Sequence, residues 1–146
     1  GLYFQSNTFR TSLISSSPRG LPCDEAFSDL EWLRTPFVGD LYGHGYQSYP
    51  CMFMPSNIKS TSIDKINSKR NEWMDTLYRQ GISTRPATHA IHMLNFYKEK
   101  YKLLPEEMPN AFAANNCSIS LPLFNGMKIE EQEYVIENIL DHNGEI

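Results

Sequence analysis

Between Asn67 and Gly81 the chain carries a complete set of helix signals. Asn67 or Ser68 can cap the first turn with a side-chain oxygen. Trp73, Met74, Leu77 and Tyr78 fall on one face, and Gly81 suits the left-handed residue that closes a helix. Such an amphipathic helix is stable only against a partner surface, so the chain must build a core around it. With 146 residues, 40% of them apolar, it is long enough to do so as one domain.

The flanking sequence breaks into short pieces. Phe27, Leu30 and Leu33, with Trp32 alongside, predict a short helix over Asp24 to Leu33 that stops before Pro36. Gly39, Gly43 and Gly45 open a loop. Tyr46 to Met54 reads as a strand, and Pro50 inside it predicts an edge or bulged one, because proline cannot donate to a ladder. Asn57 to Lys65 is polar. Ile82 to Arg85 reads as a strand ending at Pro86. His89 to Tyr101 reads as a helix, with Ile91, Leu94 and Tyr97 or Lys98 at helical spacing. Pro109 is placed for the first turn of a helix over Asn110 to Asn116. Ser118 to Leu121 alternates as a strand. Glu130 to Leu140 predicts a last helix, with Val135, Ile136, Ile139 and Leu140 inward and acids in its first turn. Helices between short strands point to an α+β domain whose helices pack on one face of a small antiparallel sheet.

The beginning of the chain is read separately. Gly1-Leu-Tyr-Phe-Gln-Ser6 resembles the remnant of a cleavable expression tag, so 1–7 is set aside. Residues 8–22, with a serine run, Pro18 and Pro22, predict a flexible arm or linker, leaving 23–146 as the domain.

Charge and cysteine usage exclude several functions. A net charge of -4, from 17 acidic and 13 basic residues, argues against a nucleic-acid surface. Short basic groups such as Lys69-Arg70 read as solvated helix faces. No stretch approaches the ~20 apolar residues of a membrane span. Cys23, Cys51 and Cys117 form no CxxC pair, so buried thiols in a reducing, cytoplasmic setting are expected rather than zinc or disulfides. Neither a glycine-rich phosphate loop nor a GxSxG elbow is present.

The polar groups that could do chemistry concentrate in Ser83-Thr-Arg85-Pro-Ala-Thr88-His89-Ala-Ile-His92. Arg85 offers a planar fork for a phosphate or carboxylate, or is simply a surface arginine beside a helix cap. His89 and His92, three apart, would share one side of a helix. Without a third ligand nearby they make a poor metal site, and none is expected. His44, between two glycines, is a loop group that reaches a partner or does nothing.

Two long runs carry a family resemblance. Gly81-Ile-Ser-Thr-Arg-Pro-Ala-Thr-His-Ala-Ile-His-Met-Leu-Asn-Phe-Tyr97 is similar to the DegT/StrS-type sugar aminotransferases. So is Met108-Pro-Asn-Ala-Phe-Ala-Ala-Asn-Asn-Cys-Ser-Ile-Ser-Leu-Pro-Leu-Phe-Asn-Gly-Met127, followed by Glu130-Glu-Gln-Glu-Tyr-Val-Ile136. With Tyr46-Gln-Ser-Tyr49 and Trp32-Leu-Arg-Thr-Pro36, the motifs match in order over 44–140. Lys128 stands where relatives often carry a helix-capping Thr, at a cost of about 1 kcal/mol. Pro50 is unusual in its strand, and Thr8 to Pro22 departs from the family's connecting helix.

The resemblance implies the C-terminal small domain of a type I, aspartate-aminotransferase-like pyridoxal-phosphate enzyme. The parent would act on a keto sugar nucleotide with glutamate as amino donor, as a homodimer. Its Schiff-base lysine and pyridine-binding acid come from the large cofactor domain. None of the seven lysines here sits in the family's Ser-His-Lys setting, so this chain alone is expected to bind no cofactor and to be inactive. In the family the loop matching Arg85 to His92 lines the active-site mouth, which implies substrate-binding roles for Arg85, His89 and His92. Its partners would be its own large domain, the sugar nucleotide and the amino donor, with no nucleic acid or membrane. The resemblance leaves two alternatives: a non-catalytic binding module that kept this domain, and a sugar dehydratase in which His replaces the lysine.

Overall fold

The computed structural model describes residues 21–39, 41–58 and 62–142. The expected tag remnant and residues 8–20 of the expected arm lie outside them. Leu21 and Pro22, the end of that arm, instead begin α1 (Leu21–Phe27), where a first-turn proline lacks only an N–H that needs no helical partner. The expected helix to Leu33 is thus shorter and shifted. After Phe27 the Ser28 hydroxyl donates to the Glu25 carbonyl at 2.9 Å, a local bond that competes with helix propagation. Leu33 and Arg34 then form β1.

Three antiparallel strands make the sheet, in the order β1, β2 (Tyr49–Phe53), β3 (Ser118–Leu121). β2 is shorter than expected because Tyr46 (φ 43°) and Met54 (φ 51°) are left-handed, a conformation that no strand can run through. It is also the central strand, which corrects the edge position expected from Pro50. The register explains the tolerance. Ser120 directs both its N–H and its C=O outward to Arg85, so Pro50, its partner in β2, is a non-hydrogen-bonded position toward β3. The nitrogen of Pro50 therefore faces the β1 side. There the register Arg34↔Met52, continued by two residues, would bring Pro36 opposite Pro50, and neither has an N–H to give. At that point the sheet is only two strands wide.

α2 (Ile63–Arg79) is longer at its start than the sequence suggests. Neither expected cap acts as one: Asn67 Nδ2 donates to the Asn116 carbonyl at 2.8 Å, and Ser68 Oγ bonds back to Asp64 O at 3.0 Å. Its buried face is Ile66, Arg70, Trp73 and Leu77, with Met74 half-buried. Tyr78, expected on that face, is exposed. Gly81 ends the helix as expected. At φ 79° it donates to Tyr78 O at 2.9 Å while Ile82 donates to Leu77 O at 2.9 Å, the paired bonds of a Schellman motif.

The expected strand at 82–85 is an extended segment joined to β3 through the single bridge Arg85↔Ser120. The expected helix 89–101 is broken: a 3-10 turn spans Ile91–Met93, Leu94 is extended, and only Asn95–Tyr101 is helical (α3). Its apolar residues Ile91, Leu94, Phe96, Tyr97 and Tyr101 are exposed. α4 (Pro109–Cys117) leads into β3 as expected. α5 (Ile129–Leu140) buries Val135, Ile136 and Ile139, with Gln132 beside them. Glu131 accepts the Lys128 N–H at 2.8 Å, which keeps half of a capping box where the Thr is missing.

One core joins these elements. Phe27, Leu33, Tyr49, Cys51 and Phe53 meet Ile66, Trp73 and Leu77 of α2 and Ile119, Val135 and Ile139. Trp32, Phe53, Trp73 and His142 pack ring on ring, with His142 centred 4.8 Å from Trp32 and 5.2 Å from Trp73. No helix among the described residues is long and apolar enough to cross a membrane.

Candidate functional site

The segment from Gly81 to His92 is fixed at three points. Its root is the Schellman turn, which buries Ile82 against the core. Its middle is the backbone pair on the outer edge of β3, with Ser120 donating to Arg85 O at 2.7 Å. Its far end is the Ala90 N–H, which donates to Asn115 Oδ1 at 3.0 Å. A loop held this way can present side chains in defined positions.

Arg85 uses its backbone for the sheet and leaves its guanidinium exposed, with no hydrogen bond or ion pair to another described residue. His89 is exposed on the extended stretch that follows. His92 is 3% exposed inside the 3-10 turn, and its Nε2 has no hydrogen-bond partner. The two histidines therefore do not share a helical side. The helix that would have aligned them is interrupted because Ala90 is tied to α4 and His92 is packed inward. Among the described residues no three groups are arranged to hold a metal.

The residue that organises this site from behind is Arg70, expected to be solvated and found 4% exposed. Its Nη1 donates to Ser118 O at 2.8 Å and Asn115 O at 3.3 Å, while Nε and Nη2 hold Asn71 Oδ1. Asn115 in turn holds Ala90, so Arg70 couples α2 to the α4–β3 junction and through it to the loop. Burial lowers its pKa, and the nearby Cys117 acts in the opposite sense. The acceptors Asn115 and Ser118 lie at the C-terminal end of α4, where the helix dipole favours a cation. A signal for this was present: positions 66, 70, 73 and 77 form one apolar stripe, and a charge inside such a stripe is a buried charge.

A second polar cluster sits under β2. Asp24 accepts a hydrogen bond from Tyr49 and another, at 3.0 Å, from Tyr46. Burial, reinforced by Asp24, raises both phenol pKa values. The three cysteines are free and buried, as expected. Burial pushes Cys23 and Cys117 up to about 11 and raises Cys51 as well, so all three stay neutral thiols.

Comparison with known proteins identifies the class. The sequence profile of the DegT/DnrJ/EryC1/StrS aminotransferase family matches residues 52–140. The chain belongs to that family. The fold also matches Helicobacter pylori PseC, an aminotransferase involved in the biosynthesis of pseudoaminic acid. That match has a TM-score of 0.63 at 16% identity, over 91% of this chain and 31% of PseC. Among curated relatives, the uncharacterised Methanocaldococcus jannaschii protein MJ1066 is 27% identical over 71% of this chain and 25% of its own length. The Bacillus subtilis spore coat polysaccharide biosynthesis protein SpsC is 25% identical over 80% and 28%. The chain thus spans about a quarter of the curated relatives it matches.

Proposed function

We propose that the chain is the C-terminal small domain of a pyridoxal-phosphate-dependent aminotransferase acting on a keto sugar nucleotide, with glutamate as amino donor. The observation that carries this reading is the family match over 52–140, which contains the anchored loop with its exposed Arg85. The roles of PseC and SpsC, in pseudoaminic acid and spore coat polysaccharide biosynthesis, support a sugar substrate.

Pyridoxal phosphate, when bound, supplies the electron sink for amino transfer and is held through a lysine. The lysines described here do not fit that task. Lys65, Lys98, Lys100, Lys102 and Lys128 are exposed, and Lys69 pairs with Glu72 at 3.3 Å. A Schiff-base lysine needs a desolvated setting that lowers its pKa. We place the cofactor on a separate large domain of the parent enzyme. The exposed apolar residues from Ile91 to Leu104 support a covering partner of that kind.

On this reading Arg85 holds a substrate anion through paired N–H donors, His89 hydrogen-bonds beside it, and the buried His92 shapes the turn that presents them. The purified chain should show no pyridoxal absorbance and no amino transfer. A yellow adduct reducible by borohydride onto one lysine would overturn the assignment. In the full-length enzyme, Arg85→Lys and His89→Ala should raise the substrate KM roughly tenfold while cofactor retention is unchanged. Unchanged KM for both substrates would make the loop a structural cap.

A further inference from the structure

A cleft of about 510 Å³ opens at the end of the sheet where Tyr49 pairs with Leu121. The loop that enters β2 supplies His44, Tyr46 and Gln47, and the turn that leaves β3 supplies Phe124 and Asn125. It is separate from the loop carrying Arg85. That loop pairs antiparallel with β3 and runs toward Asn115, at the strand's other end.

Tyr46 is the informative residue. It is a bulky aromatic in a left-handed conformation, which is strained and persists only where the surroundings impose it. Three contacts do so. Its N–H donates to His44 Nδ1 at 2.9 Å, its hydroxyl donates to Asp24 at 3.0 Å, and its ring lies 4.4 Å from the His44 ring. Because Nδ1 of His44 accepts, the neutral imidazole carries its proton on Nε2, and the exposed ring presents a donor. Gln47 is exposed and adds an amide with both donor and acceptor atoms. Phe124, 52% exposed, offers an apolar ring face. No Asp, Glu, Lys or Arg is among the described residues that line the cleft.

From this geometry we infer that the cleft is a carbohydrate subsite that takes a neutral, polyhydroxylated ring. Such a ring has one apolar C–H face and a rim of hydroxyls. The aromatic faces match the first, and the His44 donor with the Gln47 amide matches the second. A phosphate or carboxylate finds no counter-charge among the described residues that line it. The strained Tyr46 holds its ring and that of His44 at fixed angles before any ligand arrives, which lowers the ordering cost of binding. The inference does not depend on the reading of Arg85.

The test is an amide NMR titration of the 146-residue chain with N-acetylglucosamine, with UDP, and with UDP-N-acetylglucosamine. The free sugar should shift amides of 44–47 and 123–126 and saturate in the millimolar range, and UDP alone should leave them in place. Phe124→Ala should weaken that binding roughly tenfold, and His44→Ala roughly fivefold, with the rest of the spectrum unchanged. No shift at these amides with the free sugar, or equal shifts with UDP alone, overturns the subsite. Shifts caused by UDP at 85–92 report on the Arg85 reading only, so either idea can fail without the other.

Discussion

Arg70 shows how one side chain can set the geometry of a loop it does not touch. Its fork holds the carbonyls of Asn115 and Ser118, and Asn115 holds the backbone of Ala90. Removing the guanidinium leaves buried carbonyls unpaired, and hydrogen bonds to a charged group contribute about 1.5–3 kcal/mol each. Against this stands the cost of burying the charge, which its loss would relieve. The unpaired carbonyls dominate, so Arg70→Met should lower stability to urea by about 2 kcal/mol. Arg70→Lys should recover less than half of that, because one ammonium cannot satisfy two carbonyls and Asn71 in the same plane. A Met variant within about 0.5 kcal/mol of the parent would make the network incidental to stability. The neighbouring Lys69, 39% exposed in its side chain, shows why the pair read as solvated. Adjacent residues on a helix point about 100° apart, and only one of them met the core.

At the scale of elements, boundaries follow backbone chemistry. Gly81 at φ 79° carries both closing bonds of α2 and directs the chain toward Arg85. No atom crowds the position a Cβ would take, so Gly81→Ala tests the conformation alone. It should cost about 1–2 kcal/mol by thermal melting, and a neutral result would remove the left-handed requirement. Pro50 makes the contrasting case. Its missing N–H faces the place where the sheet has lost β1, so Pro50→Ala should change stability by less than about 1 kcal/mol. A larger loss would mean that the ring itself packs. The periodic helices α2 and α5, the Gly81 stop, α4 and β3 were legible because spacing and capping act locally. Residues 89–101 show the opposite case. Their apolar spacing is helical, yet Ala90 is bonded to α4 and His92 is buried, and these tertiary ties break the helix. The candidate loop was legible as a place, but the split between exposed His89 and buried His92 depends on those same ties. The central position of β2 depended on pairing across more than sixty residues, for which the local sequence carries no signal.

For the whole molecule, the critical closure is where the chain's two described ends meet. α1 and α5 touch through Gln132, whose Nε2 lies 3.4 Å from Cys23 Sγ. Beyond α5, His142 packs against Trp32, which precedes β1, and Trp73 of α2. Its Nε2 is buried without a hydrogen-bond partner, and burial holds its pKa below the ordinary 6.5. The unfolded chain therefore takes up the proton first as pH falls. The stability that His142 contributes is fully present above about pH 6.5 and is lost progressively below it. Attraction of an imidazolium to the Trp faces works the other way, but a charged ring there would leave the buried Nε2 proton without an acceptor. His142→Phe keeps a ring in the cluster and removes the titration. Urea midpoints measured from pH 7.5 to pH 5 should fall more for the parent than for this variant, and the two curves should converge above pH 7. Carboxylates common to both proteins cancel in that difference. Parallel curves throughout would mean that His142 is solvated in solution, and the ring cluster would then not close the core.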